Sequence, residues 1–131
     1  MIFVIGGMAQ GRLNFVFNKF GLDFKDVFDA EKKKITEFSG EKIIYHMEEA
    51  VSEWILSEKD YQDEVKNLIN HHNDCIVISQ EMGSGLVPID EYERKWREIS
   101  GRVNNILAEN SIEVYRVCCG IGLKIKGREG R

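Results

Sequence analysis

Two polar residues, Gln80 and Glu81, directly follow an apolar run at residues 75–79. The run is short, continuous and rich in β-branched side chains, which is typical of a strand buried on both faces of a parallel sheet. In open α/β sheets, ligands bind beyond the carboxyl ends of the strands. Glu81 is therefore a candidate catalytic carboxylate, and Gln80 is a candidate contact to substrate or phosphate.

A glycine loop near the N-terminus is suited to holding phosphate. The apolar run at residues 2–5 predicts a strand, and apolar residues in helical spacing from Leu13 onward predict a helix that ends at Gly21. Backbone N–H groups at a helix N-terminus, aided by the helix dipole, bind phosphate oxygens. A tight turn that needs glycine for its shape alone is equally compatible with this pattern. The candidate nucleotide-binding residues are Gly6, Gly7, Met8, Ala9, Gln10, Gly11, Arg12 and Leu13.

This loop matches the P-loop pattern G-x-x-x-x-G-K-S/T only in part. Gly6 and Gly11 have the right spacing, but Arg12 stands at the lysine position and Leu13 at the hydroxyl position. An arginine can bind a phosphate through two hydrogen bonds, although it is not equivalent to a lysine that follows the transferred group as a compact charge. Leu13 has no oxygen that could ligate Mg²⁺.

His46 is a second candidate catalytic residue. It lies between a short predicted strand at residues 42–45 and a predicted helix. A histidine at such a junction could orient a water molecule, accept a phosphoryl or nucleotidyl group, or serve only to cap the sheet edge. The apolar face of the following helix consists of Met47, Ala50, Val51, Trp54 and Ile55.

A long helix is predicted from Glu91 to about Glu109, opened by the capping pair Asp90 and Glu93. Its predicted buried face consists of Tyr92, Trp96, Ile99, Val103 and Ile106. The polar residues on its other faces are candidates for binding substrate or phosphate, namely Arg94, Arg97 and Asn104.

Strands alternate with helices through most of the chain, which predicts a mostly parallel α/β sheet with helices on both faces. The end of the chain predicts two strands around Gly120 and Gly122, the last one antiparallel. Residues 23–42 are charged and poorly periodic, so we expect mainly a solvated connection, which could also contain a short helix or a strand near its end. A chain of 131 residues, 43% of them hydrophobic, is sufficient for one core, and a single domain over residues 1–131 is expected.

The overall composition narrows the class of protein. The formal net charge of −4 argues against nonspecific binding to nucleic acid or to anionic membranes. No apolar run approaches the roughly 20 residues of a membrane span, and the opening lacks the basic segment of a signal peptide, so a cytoplasmic protein is expected. The cysteines lie in apolar runs without a second ligand cluster, which predicts buried, reduced thiols and no metal site. They are Cys75, Cys118 and Cys119.

Four ordered motifs carry a family resemblance. QEMGSGLVP resembles the N-E-V-G-x-G-I-V-P signature of the bifunctional adenosylcobinamide kinase and adenosylcobinamide-phosphate guanylyltransferase family. RKWREISGRVNNILA is similar to that family's R-x-F-R-D-x-x-G-x-x-N-Q-x-x-A. VCCGIGLKIK resembles its closing V-x-x-G-I-P-x-x-K, and VIGGMAQGR resembles its opening V-T-G-G-x-x-S-G-K-S. The residues kept in the second motif are Arg94, Arg97, Gly101, Asn104 and Ala108.

The resemblance implies a shortened P-loop NTPase-like (RecA-like) fold that binds GTP or ATP, with Mg²⁺ as a candidate companion ion. It implies a transferase of cobalamin biosynthesis that phosphorylates adenosylcobinamide or transfers GMP to its phosphate through a guanylylated histidine. Under it, Glu81 would bind the metal or orient the attacking hydroxyl, and Arg94 and Arg97 would neutralise phosphate. The small-molecule partners would be a nucleotide and a corrinoid, and the family's tendency to assemble implies a homo-oligomer.

The chain departs from the family pattern where chemistry is expected. The family's H-x-x-x-x-R-P-x-x-W element has no clear counterpart, because Ala50 and Val51 stand where Arg-Pro is required. A second alignment puts His46 at an acidic, Walker-B-like position. Three interpretations therefore stay open. The chain could be a shortened enzyme, a noncatalytic nucleotide- or corrinoid-binding regulator or partner subunit, or a domain that keeps these motifs for packing.

Overall fold

The computed structural model describes residues 1–7, 9–82 and 90–127. Within them the strands are β1 (Ile2–Gly6), β2 (Val27–Asp29), β3 (Ile43–Tyr45), β4 (Ile76–Gln80), β5 (Glu113–Cys118) and β6 (Ile121–Lys126). The helices are α1 (Arg12–Phe20), α2 (Met47–Leu56), α3 (Tyr61–His71) and α4 (Glu91–Asn110). Two short 3₁₀ helices, Phe24–Asp26 and Ile35–Glu37, lie on either side of β2 in the chain.

The strands form one six-stranded sheet in the order β2-β3-β4-β1-β5-β6. Every pair is parallel except β5 and β6, which are antiparallel. The central strand β1 lies between β4 and β5, with Phe3 opposite Val77 on one side and Val114 on the other. The α/β class, the parallel sheet and the antiparallel last strand are as predicted, and the architecture is P-loop-like.

Helices cover the sheet on both faces, and this arrangement opens a crevice at its carboxyl edge. Val16 of α1 packs in the core on one face, whereas residues of α2, α3 and α4 pack in the core on the other. The chain therefore leaves β1 toward one face and leaves the adjacent β4 toward the opposite face. In open α/β sheets, the strand pair where this reversal occurs is the usual position of a ligand.

One edge strand was not predicted. Residues 23–42 contain β2 and the two 3₁₀ helices, where the sequence had indicated mainly a solvated connection. The strand has three residues, too few to produce a visible alternation of apolar and polar side chains. Among the described residues it pairs only with β3, where Phe28 lies opposite Ile44.

The predicted buried face of α4 was also partly wrong. Tyr92 is 40% exposed, and the fully buried row of α4 is rotated from the predicted one. Two members of that row are polar, which concealed its i, i+3, i+4, i+7 spacing from a search for apolar residues. The row consists of Ser100, Val103, Asn104 and Leu107.

The expectation of three buried thiols holds for one cysteine only. Cys75 is buried ahead of β4, but Cys118 and Cys119 are exposed at the turn between β5 and β6. The turn brings the chain out of the core at this point, which the apolar run of sequence did not reveal. None of the described helices is long and apolar enough to cross a membrane.

Gly6, the last residue of β1, cannot be enlarged without displacing the sheet. A Cβ atom at this position would lie 2.6 Å from the Val117 carbonyl oxygen of β5 and 3.2 Å from Cγ of Arg12. Because the first of these contacts is to backbone of a central strand, we expect Gly6→Ala to lower the free energy of unfolding by about 1–3 kcal/mol. Urea unfolding followed by circular dichroism measures this change.

Gly101→Ala is the matched control. Gly101 lies inside α4, where no described heavy atom outside the helix's own backbone comes within 4 Å of the new Cβ. Alanine should raise the free energy of unfolding there by roughly 0.5–1 kcal/mol, since glycine disfavours a helix interior. If both variants were equally stable, the close packing inferred around Gly6 would be wrong.

Candidate functional site

The glycine loop and Glu81 meet at the crevice between β1 and β4. The backbone N–H of Glu81 donates to the carbonyl oxygen of Gly6 at 2.8 Å, extending the β1–β4 pairing by one residue. The Glu81 side chain is 33% exposed, so its carboxylate is accessible from solvent. The two motifs that the sequence separates by about half its length thus lie side by side.

Arg116 is a site residue that sequence reasoning missed. Its guanidinium donates to Oε2 of Glu81 through Nη2 at 3.1 Å and through Nε at 3.3 Å. Arg116 lies on β5 in register with Ile5 of β1, near the carboxyl ends of both strands. The only signal in the sequence was a charged residue inside an apolar strand, and linking it to Glu81 requires the strand order.

The N-terminus of α1 presents uncapped backbone N–H groups. Gly11 is the residue before the helix, with φ of 78° and ψ of 28°, and no side chain among the described residues caps the first turn. This left-handed conformation favours glycine. The first-turn N–H groups and the helix dipole make the end of α1 suitable for an anion. Met8, a predicted loop residue, lies outside the described residues.

Arg12 provides a buried positive charge at this helix end. The residue is 6% exposed, and its Nη1 makes no hydrogen bond with any described atom. A buried guanidinium with an unpaired donor is costly unless an anion is brought to it. A cavity of about 230 Å³ adjoins the loop. The residues that line it are Ala9, Gln10, Gly11, Arg12, Leu13, Asn14 and Tyr45.

A larger cavity of about 420 Å³ shares Leu13 and Tyr45 with the first one. Its wall is apolar through two phenylalanines and one valine, and two lysines supply positive charge. Burial raises the pKa of the Tyr45 hydroxyl, and the nearby charge of Arg12 opposes that change. The other residues lining this cavity are Phe24, Val27, Phe28, Asp29, Lys32 and Lys33.

His46 lies at the carboxyl end of β3 and is oriented by Asp29 at the end of β2. Nδ1 of His46 is 2.8 Å from Oδ1 of Asp29, and the ring stacks on Tyr45 with 3.7 Å between ring centroids. Nε2 is 3.9 Å from the carboxylate of Glu31. His46 has φ of 60°, a strained value for a residue with a side chain. Because Nδ1 of His46 donates a hydrogen bond to the Asp29 carboxylate, Nε2 points away from Asp29. This orientation suits a side chain that accepts or transfers a proton.

Asn104 and Gln80 are engaged in holding the end of β4. The Asn104 side chain accepts from the Ser79 hydroxyl at 2.8 Å and donates to the Gln80 carbonyl oxygen at 3.1 Å. The backbone N–H of Gln80 donates to the buried carboxylate of Glu48 at 3.0 Å. These contacts position Glu81, which follows directly.

The predicted arginines of α4 are placed differently from Arg116. Arg97 lies 3.5 Å from the carboxylate of Glu93 in its own helix, and Arg94 is exposed. Within the described residues neither is paired with Glu81. Residues 83–89, which carry the rest of the QEMGSGLVP motif, lie outside the described ranges.

Comparison with known proteins identifies related sequences. Residues 31–125 match the family described as cobinamide kinase / cobinamide phosphate guanyltransferase. The chain is 40% identical over 73 residues to the bifunctional adenosylcobalamin biosynthesis protein CobU of Salmonella typhimurium, a stretch covering 53% of this chain and 40% of that protein. It is 40% identical over 67 residues to the Escherichia coli protein of the same description, covering 48% of this chain and 37% of that protein.

The matches to the two relatives cover only part of each relative, whereas the family match covers most of this chain. The matched stretches span 40% or less of the length of either relative. The family match begins at residue 31, so the glycine loop and α1 lie outside it. It includes β3 to β5, His46, Glu81 and Arg116 and covers most of the chain. The chain belongs to the cobinamide kinase / cobinamide phosphate guanyltransferase family.

Proposed function

We propose that this chain transfers a phosphoryl or guanylyl group from a nucleoside triphosphate to adenosylcobinamide or its phosphate, as a step of adenosylcobalamin biosynthesis. The observation that carries the proposal is the buried guanidinium of Arg12, with its unpaired Nη1, beside the uncapped N-terminus of α1. A phosphate group would satisfy both at once. The reaction belongs in the cytoplasm, where nucleoside triphosphates are supplied.

The two neighbouring cavities fit the parts of such a substrate. The smaller one, lined by Arg12 and the loop, would take phosphate groups. The larger one, with apolar walls and the ammonium groups of Lys32 and Lys33, would take a flat apolar group attached to phosphate. Tyr45 lines both cavities and would contact the ligand between them.

Glu81 is proposed as the group that orients the attacking hydroxyl. In the kinase reaction, the hydroxyl oxygen of the cobinamide arm would bond to the terminal phosphorus, and the bond from that phosphorus to the leaving nucleoside diphosphate would break. The hydroxyl proton would pass to the Glu81 carboxylate. Arg116 is hydrogen-bonded to Glu81 in the described structure. A group transferred beside Glu81 would therefore lie near the Arg116 guanidinium, which would neutralise the charge that develops on that group.

His46 is the candidate acceptor for guanylyl transfer. Its Nε2 would bond to the α-phosphorus of GTP with release of diphosphate, and the substrate phosphate would then displace the histidine. The contact to Asp29 would stabilise the charged imidazole during this exchange. Asn104 and Gln80 would act by positioning Glu81, and Arg94 and Arg97 would bind the phosphorylated substrate from α4.

Mg²⁺ is the ion that such a reaction ordinarily uses. Mg²⁺ is commonly held by one or two carboxylates together with substrate phosphates. Glu81 fits as one such carboxylate, whereas Leu13 replaces the hydroxyl ligand of the P-loop. No group of three metal-binding side chains occurs among the described residues, so nucleotide phosphates would supply most ligands. The ion would neutralise phosphate charge.

A noncatalytic nucleotide- or corrinoid-binding subunit is the alternative function. Leu13 at the hydroxyl position and Arg12 at the lysine position favour it, because Leu13 cannot hold Mg²⁺ and Arg12 lacks the compact charge that follows the transferred group, whereas the backbone of the loop can still bind phosphate. Purified protein incubated with labelled GTP or ATP, Mg²⁺ and adenosylcobinamide or its phosphate distinguishes the two. Turnover supports the transferase, and nucleotide binding without turnover supports the alternative. Absence of binding to nucleotide and to corrinoid alike would contradict both.

We also propose that the chain forms a homodimer through β6. This strand has a neighbour on one side only in the described sheet, and a row on one of its faces is exposed, with Ile121 at 73%, Leu123 at 67% and Ile125 at 58%. The row is symmetric about Leu123. Antiparallel pairing with a second copy would put Ile121 opposite Ile125, and Lys124 opposite Gly122 rather than another lysine.

Leu123→Lys should therefore give a monomer at concentrations where the unchanged protein is a dimer. Analytical ultracentrifugation measures the difference. Ile112→Lys is the control, because Ile112 is 71% exposed but lies outside β6. A dimer that survives Leu123→Lys, or a monomeric unchanged protein, would exclude this interface.

A further inference from the structure

Two adjacent cysteines form an exposed dithiol at the turn between β5 and β6. The Sγ atoms of Cys118 and Cys119 are 4.0 Å apart, and both residues are exposed. Cys119 has φ of 52°, in the left-handed region. Two accessible thiols this close can react with one bifunctional reagent, which a solitary thiol cannot do.

This turn is joined to the glycine loop by hydrogen bonds from its backbone N–H groups to Gln10. The N–H of Cys119 donates to Oε1 of Gln10 at 2.6 Å, and the N–H of Gly120 donates to the Gln10 carbonyl oxygen at 2.7 Å. A Cβ on Gly11 would lie 3.2 Å from the Cα of Gly120, so the two segments also touch. The conformation of the loop at Gln10 and Gly11 therefore depends on the conformation of the turn.

We propose that Cys118 and Cys119 are a redox-sensitive modification site for low-molecular-weight disulfides, and that closing this pair releases the glycine loop. A disulfide between them closes a ring that contains the peptide unit joining the two residues. The N–H of that peptide unit is the one that donates to Gln10. Because ring closure must rotate it, the bond to Gln10 is lost. The effect on nucleotide binding rests on the proposed function, but the modification itself does not.

The reaction balances as two thiol–disulfide exchanges. One protein thiolate attacks the external disulfide, forms a mixed disulfide and releases one external thiol. The second protein thiolate then attacks the mixed disulfide, forms the Cys118–Cys119 bond and releases the second external thiol. The external disulfide is reduced to two thiols, and the dithiol is oxidised with loss of two hydrogen atoms.

The third cysteine provides an internal control. Burial raises the pKa of the Cys75 thiol to about 11, and its Sγ is hydrogen-bonded to the His72 carbonyl oxygen, so it should not react near neutral pH. The hydrogen bond with Cys118 raises the pKa of the exposed Cys119 thiol. The reaction at Cys119 should therefore accelerate as the pH rises toward and above the ordinary thiol range.

Phenylarsine oxide and oxidised glutathione test the modification. The arsenical joins both thiols with loss of one water molecule, and intact-mass measurement should detect one adduct per chain that a small dithiol removes. Cys118→Ser and Cys119→Ser should each abolish the stable adduct, whereas Cys75→Ser should keep it. Oxidised glutathione should give a chain lighter by two hydrogen atoms. The proposal would be overturned if no arsenical adduct formed, or if the adduct still formed in both single variants.

Two readouts test the coupling to the loop. Amide hydrogen exchange at Cys119 and Gly120, whose N–H groups donate to Gln10, should rise on closure, a change that needs no nucleotide. Affinity for a fluorescent GTP analogue should fall by about tenfold, equivalent to roughly 1.4 kcal/mol. Unchanged exchange after full closure would overturn the coupling. Raised exchange with no GTP binding in either state would instead overturn the proposed nucleotide site.

Discussion

Arg12→Met is expected to remove most of the affinity for nucleotide while leaving the fold as stable as before or more stable. The guanidinium is buried with an unpaired Nη1, so the ligand-free protein gains nothing from that donor. Methionine replaces the apolar stem of arginine, is shorter by the end of the guanidinium group, and has no charge to bury. The free energy of unfolding should therefore stay equal or rise, because the cost of an uncompensated buried charge disappears.

The loss of affinity follows from the bonds that a phosphate would make with Arg12. Hydrogen bonds to charged groups contribute about 1.5–3 kcal/mol, which corresponds to roughly 10- to 150-fold in the dissociation constant. Isothermal titration with GTP and with ATP measures this change. As a second measurement, nucleotide should raise the melting temperature of the unchanged protein but not of Arg12→Met.

Lys19→Met is the matched control for Arg12→Met. Lys19 lies in the last turn of the same helix and is exposed, so the variant removes one positive charge from α1 at the end away from the loop. Its nucleotide affinity should be that of the unchanged protein. Equal affinity of the Arg12→Met and Lys19→Met variants would mean that Arg12 does not bind phosphate, and the proposed function would lose its main support.

The strands and helices that could be predicted from the sequence are those with strong local patterns. The strand at residues 75–79 and the helix from Leu13 onward that ends at Gly21 were predicted, because continuous apolar residues and a terminal glycine are visible without knowledge of the partners. The strand β2 was missed because its three residues are stabilised by pairing with β3, a contact distant in sequence. Asn104, a polar member of the buried row of α4, was misassigned because its burial depends on partners in β4.

The contacts of the candidate site also differ in whether the sequence alone could predict them. The approach of Glu81 to Gly6 was predictable, because both follow strands of a parallel sheet at its carboxyl edge. The pairing of Arg116 with Glu81 was not, since it depends on β5 being the second strand from β4, with β1 between them. The contact of Asp29 with His46 was hidden for the same reason, because it requires β2 beside β3.

Glu81→Gln is expected to lower the rate of group transfer by roughly 10²- to 10⁴-fold, the usual contribution of a general base. Glutamine keeps the size of the side chain and one oxygen that can accept from Arg116, so the crevice should keep its shape. Stability should change by less than about 1 kcal/mol, since the Glu81–Arg116 pair is partly exposed. Nucleotide affinity measured without Mg²⁺ should be unchanged, because Arg12 and the loop carry that binding.

Glu113→Gln is the control that separates a catalytic role of Glu81 from the loss of an ion pair. Glu113 is also paired with a basic residue, 3.2 Å from Nζ of Lys124, but it lies at the opposite end of β5 from the crevice. Both variants remove one paired carboxylate, so an effect of net charge would appear in both. Single-turnover measurements with labelled GTP should give a normal rate for Glu113→Gln and a strongly reduced rate for Glu81→Gln. Equal rates in the two variants would remove Glu81 from the reacting groups and leave His46, oriented by Asp29, as the side chain on which transfer depends.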